Sequence, residues 1–397
     1  MLKLGGGNVE VRFFPPHSRA TVYRITDQVN RIPPLRRKEA FLAKGHEIPK
    51  GFAVYLALRR NADVLNGVPV KTKTAILPDD YGYLADGDVI RISPEKGTVR
   101  VLYRRNSVHN SFLLTERCNH YCLMCSQPPK DIDDSWIVDD ILAVIPLIDT
   151  ATAEIGFTGG EPTLLGQEFI RILMTAKNYL PSTSIHILSN GRRFADLAFA
   201  RQYADIGHHD MMVGIPLYSD LSTIHDYVVQ ADGAYDETIR GILNLKRLQQ
   251  KVELRVVIHQ QTFKRLPQLA EFIVRNLTFV DHVALMGLEI TGFTRANLDK
   301  LWIDPTDYMP ELLAAARHLA DHRLHVSIYN HQLCLLDQRL WSFAHKSISD
   351  WKNEYMPECE SCTKQDQCGG FFSSAHLRYS DHITPFLGPP FDTYTGS

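Results

Sequence analysis

From residue 108 onward, short apolar segments alternate with longer amphipathic ones, and this alternation constrains the fold more than any other feature. The apolar segments span 111–114, 154–157, 184–188, 211–217, 253–258 and 282–286. The amphipathic segments span 138–149, 167–179, 196–206, 235–250 and 266–277. Such alternation predicts an α/β domain in which parallel strands are joined by crossover helices. Six strands are too few for a closed eightfold barrel, and ligands of parallel sheets bind at the C-terminal ends of the strands.

The flanking segments lack this alternation, so we expect three regions. Residues 1–107 contain no cysteine and carry β-rich patches broken by Gly and Asp, which predicts a small mostly-β domain with either a scaffolding or a substrate-docking role. Its patches lie at 9–14, 52–58, 89–92 and 98–103. Residues 108–295 would form the α/β domain. Residues 296–397 would follow, with a helix at 307–322, a strand-like run at 324–329 and a cysteine-rich end.

Composition narrows the class of protein. The 397 residues carry a formal net charge of −2, with 44% hydrophobic and 22% charged residues, an ordinary globular balance. The near-neutral charge gives no electrostatic reason to expect nucleic acid or a membrane as the main partner. The first residues lack the apolar stretch of a signal peptide, and no apolar run is long enough to cross a bilayer. We therefore expect a cytoplasmic protein.

All seven cysteines lie beyond residue 117, and they fall into two groups. Cys118, Cys122 and Cys125 form a C-x3-C-x2-C pattern directly after the first predicted strand. In a reducing cytosol, close-spaced cysteines indicate metal ligands rather than disulfides. Three thiolates on one short loop could hold three corners of a [4Fe–4S] cluster and leave its fourth iron open. The alternative is a zinc site that takes His120, inside the loop, as its fourth ligand.

Two later strands end in residues that suit a ligand. After the second strand, Gly159 and Gly160 would let the backbone approach a ligand closely, and the Glu161 carboxylate could accept a hydrogen bond from an ammonium group. After the third, Ser189 and Asn190 offer donors and acceptors for a ribose diol or a carboxylate. The alternatives are a plain strand-to-helix turn for the first element and an Asn-Gly turn for the second.

Together, the C-x3-C-x2-C loop, the Gly-Gly-Glu-Pro element and the Ser-Asn-Gly element resemble the radical S-adenosylmethionine (SAM) superfamily. The resemblance implies an open, partial (β/α)6 barrel in which the amino and carboxylate groups of SAM chelate the fourth iron. It implies that Gly159, Gly160 and Glu161 contact the SAM amino group. Ser189 and Asn190 match its ribose motif.

Five further candidate residues depart from the family pattern or are less specific to it. Met124 stands where the family usually has an aromatic residue, beside the adenine. Pro216 occupies the level of a carboxylate-binding serine found in many relatives, so Ser219 is the candidate instead. Arg255 could face the SAM carboxylate or project into solvent. Met286 and Gly287 could lie against the adenine or belong to an ordinary core strand.

The second cysteine group is Cys359, Cys362 and Cys368, preceded by Cys334. It is similar to SPASM and Twitch domains, which hold auxiliary Fe–S clusters in peptide-modifying radical SAM enzymes. Four cysteines can fully ligate one auxiliary [4Fe–4S] cluster, which implies a Twitch-like or truncated SPASM domain with an electron-transfer role. If Cys334 does not ligate, a substrate or another residue could occupy that corner. The alternative is a structural zinc site built from the same thiolates.

Residues 110–130, with the strand at 215–219, resemble the HxsC-type maturases of the His-Xaa-Ser peptide system. This implies reductive cleavage of SAM to a 5′-deoxyadenosyl radical, which takes hydrogen from a ribosomal precursor peptide and leads to a cross-link or another oxidative modification. The implied partners are the precursor peptide, accessory proteins of the same system and a reductant such as flavodoxin or ferredoxin. No catalytic side chain is identified, and none of the 17 histidines has a catalytic spacing. The alternatives are a radical SAM enzyme acting on a small molecule or RNA, and a non-catalytic Fe–S or zinc protein.

Overall fold

A mixed eight-stranded sheet forms the N-terminal part of the protein, whose computed structural model describes residues 3–45, 47–346 and 354–388. Its strands are β1 (Gly5–Gly6), β2 (Glu10–Arg12), β3 (Thr21–Thr26), β4 (Glu39–Leu42), β5 (Val54–Leu58), β6 (Thr74–Leu77), β7 (Val89–Ser93) and β8 (Thr98–Tyr103). They lie in the order β1-β8-β7-β3-β4-β5-β6-β2, and β3 to β6 run parallel to one another. Every residue of β4 and β6 is buried, because both faces of the sheet's centre are covered.

Seven parallel strands form the second sheet, in chain order. They are β9 (Asn110–Leu113), β10 (Glu154–Thr158), β11 (Ser184–Leu188), β12 (Met211–Pro216), β13 (Lys251–Ile258), β14 (His282–Gly287) and β15 (Val326–Tyr329). The α/β architecture predicted from the alternation is therefore confirmed. The sheet has one strand more than the six expected, because the run at 324–329 pairs with β14. The parallel sheet thus extends past residue 295.

Ten α-helices are present in the described residues. They are α1 (Pro33–Arg36), α2 (Trp136–Val144), α3 (Gln167–Tyr179), α4 (Leu197–Ala204), α5 (Ser222–Val229), α6 (Ala234–Arg247), α7 (Leu266–Asn276), α8 (Phe293–Ala296), α9 (Leu298–Leu301) and α10 (Met309–Asp321). The five predicted crossover helices correspond to α2, α3, α4, α6 and α7, whereas α5, after β12, was not predicted. No helix in the described ranges is both long and apolar enough to cross a bilayer.

Helix α3 shows how the crossover helices are held. Phe169, Leu173 and Ala176 recur at spacings of three and four residues, so they share one face, and all three are buried. Burial of each large apolar side chain contributes roughly 1.5–3 kcal/mol. Phe169 also stacks with Tyr203 of α4, at a centroid distance of 6.5 Å, which joins neighbouring crossover helices.

The N-terminal sheet docks on α2 and on the loop that follows it. Arg91 of β7 pairs with Asp140 at 2.6 Å, and its guanidinium lies 4.5 Å from the centre of the Trp136 ring. Nearby, Arg105 pairs with Asp149 at 2.6 Å. These contacts fix the short connection from β8 to β9, so the N-terminal sheet lies beside the first strand of the parallel sheet.

Residues 354–388 pack against the loop after β15 without long regular elements. The Gln332 side-chain amide donates to the Gly370 carbonyl at 2.7 Å, and Ser380 Oγ donates to Asp304 Oδ1 at 3.0 Å. An isolated antiparallel bridge joins Glu354 to Phe371. The second cysteine group is thereby held near the C-terminal ends of β14 and β15.

Candidate functional site

The C-x3-C-x2-C loop follows β9 at the C-terminal edge of the parallel sheet, and its backbone is fixed from two sides. On one side, Leu123 N–H donates to the Val228 carbonyl of α5 at 2.9 Å. On the other, Asn297 Nδ2 donates to the Leu123 carbonyl at 2.9 Å. Gly292 lies so close that a Cβ there would overlap the Cys125 carbonyl oxygen, and its φ of +52° also favours glycine. Contacts with α5, Asn297 and Gly292 therefore define the shape of the loop.

The three cysteine thiols lie close enough to influence one another's ionisation. Burial raises the pKa of Cys118 to about 11, with further contributions from Glu161 and Cys125. Burial also raises the pKa of Cys122, and the charges of Cys125 and Cys118 add to it. Three thiolates crowded together are stable only beside a strong positive charge, which a bound iron cluster supplies. All three are free of disulfides, so this donor set fits a cluster held by three thiolates.

The zinc alternative needs a fourth ligand inside the loop. Burial lowers the pKa of His120 to about 3, so the ring is neutral, and its Nδ1 lies 4.0 Å from Cys122 Sγ. Within the described residues, no group of three or more His, Cys, Asp or Glu side chains is arranged to hold a metal ion. In an Fe–S cube the cysteines need not surround one point, because each binds a different iron.

The two glycines of the Gly-Gly-Glu element lie against the cysteine loop. Gly160 N–H donates to the Thr115 carbonyl and Glu161 N–H to the Arg117 carbonyl, both at 2.8 Å. A Cβ on Gly159 would lie 2.6 Å from the Thr115 oxygen, and one on Gly160 would overlap the Arg117 oxygen. The close approach that requires glycine here is therefore to the loop backbone, whereas the sequence suggested an approach to the ligand itself.

The Glu161 side chain ties the end of β10 to the end of β11. Its Oε1 accepts from Thr163 N at 2.9 Å, from Thr163 Oγ1 at 2.6 Å and from Ser189 Oγ at 2.8 Å, while Oε2 accepts from Asn190 N at 2.6 Å. Burial raises the pKa of Glu161 despite these bonds. Contact with a SAM amino group remains a prediction, for which the second lone pair of Oε2 is the available acceptor.

Ser189 and Asn190 have different surroundings. Ser189 lines the main cavity at the sheet edge. The Asn190 side chain instead donates to Asn119 Oδ1, within the cysteine loop, at 2.7 Å. Gly191, with φ of +79°, completes the turn, and a Cβ there would lie 2.9 Å from an Ile215 methyl group. The Asn-Gly turn and a ligand-facing serine therefore coexist in one segment.

The cavity beside the cysteine loop has a volume of about 490 Å³. Five of the ten proposed SAM-contacting residues line it: Met124, Ser189, Arg255, Met286 and Gly287. A cavity of this size lies within the range of small-molecule and cofactor sites. Val101 and Tyr103 of β8 also line it, so the N-terminal sheet forms part of its wall. The sequence left scaffolding and substrate docking open for residues 1–107 and did not place them in the cavity wall.

Ser219 does not face this cavity. Its side chain is fully buried, its Oγ donates to Asp220 Oδ1 at 3.3 Å, and it accepts from Leu221 N at 3.2 Å. These bonds form the turn that precedes α5, which corrects the expectation that Ser219 faces a carboxylate. The neighbouring Tyr218 lines the cavity instead, with its ring 5.8 Å from that of His225.

The four C-terminal cysteines surround one small apolar cavity of about 20 Å³. Cys334, Cys359, Cys362 and Cys368 all line it, together with Phe386 and other residues. Burial raises the pKa of Cys334, and the charges of Cys368 and Cys359 add to this. Within the described residues these four thiols are not arranged around one metal ion either, so they match a fully ligated cluster or a zinc ion by donor type alone.

Comparison with known proteins supports a family for the central segment. The model of the radical SAM superfamily matches residues 112–273. Fe-coproporphyrin III synthase of Methanosarcina barkeri is 25% identical over 171 residues, which are 40% of this chain and 39% of that protein. Members of this superfamily use SAM and a [4Fe–4S] cluster.

Solved structures resemble the chain more distantly. SuiB of Streptococcus suis bound to S-adenosylmethionine has a TM-score of 0.46 at 13% identity, covering 64% of this chain and 54% of SuiB. The anSMEcpe structure with bound AdoMet and Cp18Cys peptide has a TM-score of 0.42 at 17% identity, covering 54% of this chain and 62% of that protein. The chain spans less than two thirds of each of these relatives.

Proposed function

We propose that this protein, in which residues 112–273 form a radical SAM superfamily domain, is an enzyme that reductively cleaves SAM and takes hydrogen from a ribosomal precursor peptide. The observation that carries the proposal is the position of the fixed three-cysteine loop beside a cavity of about 490 Å³. A cluster bound by three cysteines retains an open iron, and the adjacent space can hold a nucleoside and part of a substrate.

Cys118, Cys122 and Cys125 would hold the SAM-binding [4Fe–4S] cluster. When bound, the cluster and SAM supply an electron and a 5′-deoxyadenosyl group able to remove hydrogen from an unactivated C–H bond. Protein side chains would bind SAM and orient it. We assign this to Met124, Ser189, Arg255, Met286 and Gly287, which line the cavity. Glu161 and Asn190 hold the strand ends and the cysteine loop, and Glu161 remains the candidate for the SAM amino group.

The apolar side chains that line the cavity would exclude water from it. Met124 and Tyr218 are each 8% exposed and belong to one apolar cluster with Val228. Leu188 and Val257 line the same cavity from the strands below. An apolar enclosure limits contact between a reactive carbon centre and stray hydrogen donors. Packed apolar side chains can provide this protection without any acid–base side chain.

Each of the three regions would have its own role in the enzyme. Residues 1–107 would wall the cavity and dock substrate, residues 108–295 with β15 would form the barrel, and the remaining C-terminal residues would carry the auxiliary site. Cys334, Cys359, Cys362 and Cys368 would ligate one auxiliary [4Fe–4S] cluster of a Twitch-like or truncated SPASM domain. Residues beyond 388 and residues 347–353, although part of this C-terminal region, lie outside the described residues.

The substrate proposal rests on the likeness of residues 110–130 and 215–219 to HxsC-type maturases. The peptide would lose two hydrogens overall when a cross-link forms. One would leave as a hydrogen atom to the 5′-deoxyadenosyl group. The other would leave as a proton, released to solvent, and an electron, which the auxiliary cluster would accept. Flavodoxin or ferredoxin would supply the initiating electron, accessory proteins of the same system would act with it, and the location would be cytoplasmic.

Two anaerobic assays test this function. Reconstituted protein with SAM and dithionite should release 5′-deoxyadenosine, whereas a Cys118/Cys122/Cys125 triple alanine variant should not. With a co-expressed His-Xaa-Ser precursor peptide, mass spectrometry should show the loss of two hydrogens. Release of 5′-deoxyadenosine without any peptide change would favour the second candidate, a radical SAM enzyme acting on a small molecule or RNA. Failure to release it would favour a non-catalytic Fe–S or zinc protein.

A further inference from the structure

A second cavity, of about 80 Å³, lies between the main cavity and the four C-terminal cysteines, and is hereafter the connecting cavity. It shares Gln332 with the cavity of the four cysteines and five lining residues with the main cavity: Gly287, Leu288, Glu289, Asn330 and Phe372. Its volume is several times what one water molecule needs. A group of a few heavy atoms therefore fits here, next to whatever occupies the main cavity.

Most of the wall of the connecting cavity is apolar or already satisfied. Ile258, Ile290, Ile303 and Phe371 supply apolar surface. Five polar residues of the wall are hydrogen-bonded within the protein: Tyr308, Asn330, Gln332, Tyr379 and Ser380. Ligand sites characteristically combine an apolar wall with a few polar groups that remain available. The available groups here belong to Arg378 and Ser374.

Arg378 brings a positive charge to the connecting cavity. Its guanidinium carbon lies 3.9 Å from the centre of the Trp302 ring. Stacking on an aromatic face holds the guanidinium plane and leaves its N–H donors, which lie at the edge, free to bind a ligand. Among the residues that the structure describes, Arg378 has no ion-pair partner. The planar fork of arginine matches a carboxylate, which it binds through two parallel hydrogen bonds.

Ser374 lines the same cavity and carries an unsatisfied hydroxyl. Its side chain is 3% exposed, and its Oγ has no hydrogen-bond partner in the described part of the chain. Buried polar atoms are nearly always paired, so a lone hydroxyl in a cavity wall is available to a ligand. Ser374 lies within the short 3-10 helix Ser373–Leu377, and Arg378 follows it directly. One segment therefore supplies both free groups.

The charge of Glu289 limits where an anion can bind. Glu289 lines both the main and the connecting cavity, has an interaction of its own and forms no ion pair with Arg378. Like charges repel, so an anion is disfavoured beside Glu289 and favoured at the Arg378 end. That end lies away from the main cavity, because neither Arg378 nor Trp302 lines the latter.

We propose that the connecting cavity is a substrate subsite that binds a carboxylate, with Arg378 as its ion-pair partner and Ser374 as a further hydrogen-bond donor. The proposal deepens the proposed function and rests on it, since the carboxylate belongs to the precursor peptide. It is either an Asp or Glu side chain near the modified residue or the C-terminus of the peptide. A peptide anchored here lies between the main cavity and the C-terminal cysteines.

The test measures peptide binding in wild type, Arg378→Gln, Ser374→Ala and a control, Arg339→Ala, whose exposed side chain lines neither cavity. Four synthetic His-Xaa-Ser repeat peptides are compared, with Glu or Gln at Xaa and with a free or an amidated C-terminus. Dissociation constants come from anaerobic calorimetry on reconstituted protein with SAM and no reductant, so that no turnover occurs. Release of 5′-deoxyadenosine with dithionite, without peptide, reports on the SAM site, and thermal unfolding reports on folding.

If a side chain supplies the carboxylate, wild type binds the Glu peptides roughly 10-fold more tightly than the Gln peptides. If the C-terminus supplies it, the free peptides bind more tightly than the amidated ones by a similar factor. In either case Arg378→Gln loses the preference, Ser374→Ala reduces it and Arg339→Ala keeps it. Release of 5′-deoxyadenosine is unchanged in all three variants, because the subsite is separate from the SAM-contacting residues.

Two sets of results overturn different claims. Equal constants for all four peptides in wild type, or a preference that persists in folded Arg378→Gln, overturns the subsite. A folded Arg378→Gln that no longer cleaves SAM also overturns it, because Arg378 would then belong to the SAM site. A wild type that releases no 5′-deoxyadenosine, or that binds none of the four peptides, overturns the proposed function itself.

Discussion

Gly160 packs so tightly against Arg117 that a Cβ on Gly160 would lie only 2.1 Å from the Arg117 carbonyl oxygen. This contact joins the end of β10 to the loop that carries Cys118, whose own Cβ would be 3.0 Å from the added atom. The Gly-Gly-Glu element therefore holds the backbone of the cysteine loop in place, in addition to any contact it makes with a ligand. Glycine is required at position 160 because the backbones of two segments more than forty residues apart in the sequence meet there.

Gly160→Ala should displace the cysteine loop. The new methyl group meets backbone atoms, which cannot move aside as a flexible side chain can, so we expect a loss of roughly 1–3 kcal/mol in the free energy of unfolding. Iron content after anaerobic reconstitution should fall at the same time. Gly45→Ala, where nothing lies within 4 Å of the added Cβ, is the matched control. Equal iron content in both variants would show that the loop tolerates the methyl group.

Glu161→Gln should weaken the joint between β10 and β11. The carboxylate accepts four hydrogen bonds. In glutamine an NH2 group replaces one carboxylate oxygen, so at least one of these donors would face another donor and lose its acceptor. Leaving a buried donor unsatisfied costs about 1–3 kcal/mol, measurable by urea unfolding. Thr175→Val, on the exposed side of α3, serves as a control, since the Thr175 hydroxyl donates to the Arg171 carbonyl of the same helix. A Glu161→Gln variant as stable as wild type would contradict the assignment.

Stability should fall in mild acid because of buried neutral histidines. Burial lowers the pKa of His259 from 6.5 to about 4, so the unfolded chain binds a proton that the folded chain does not. The contribution is present above pH 6.5 and is lost as the pH falls toward 4, by about 3 kcal/mol in total. His259→Asn keeps an acceptor for Gln261 N–H and does not titrate, so its unfolding free energy should depend less on pH. Exposed His17→Asn should follow wild type, and identical pH slopes in all three proteins would refute the prediction.

Docking of the N-terminal sheet should depend on Arg91. Its ion pair with Asp140 is largely buried and its guanidinium stacks on Trp136, so Arg91→Ala should cost roughly 2 kcal/mol. Removal of Lys3, whose pair with Asp80 is exposed, should change stability little. Limited proteolysis between β8 and β9 should be faster in Arg91→Ala alone. Equal cleavage rates in the two variants would mean that the sheet docks by other contacts.

The sequence predicted the parallel sheet well because each strand carries its own local signal. The bounds of β11 match the expected 184–188, and α3 matches 167–179. The strand β15 was recognised as strand-like but was not placed in the sheet, because a long helix, α10, separates it from β14. Strands β4 and β6 were missed because all their residues are buried, so burial does not alternate along them. Strand β3 was also missed, although its burial partly alternates.

The parts of the site that lie in one short segment were predicted from the sequence. The parts that depend on how neighbouring strands align in the sheet were missed. The cysteine loop has a spacing that can be read directly. Arg255 of the cavity wall pairs with Glu253, which lies opposite His282 on the neighbouring strand, and only the sheet defines this alignment. The prediction that Ser219 faces a carboxylate was wrong because its hydroxyl accepts a hydrogen bond within the turn before α5. The sequence pattern did not reveal that helix. The wall contributed by β8 depends on docking between domains.

Iron and acid-labile sulfide counting in two matched triple variants tests the central claim most directly. Wild-type protein reconstituted without oxygen should hold two [4Fe–4S] clusters. The Cys118/Cys122/Cys125 triple alanine variant should keep one cluster and lose SAM cleavage, whereas the Cys359/Cys362/Cys368 variant should keep the other cluster and its response to SAM. Zinc in place of iron at the first loop, or an unchanged iron and sulfide content after its three cysteines are removed, would contradict the account.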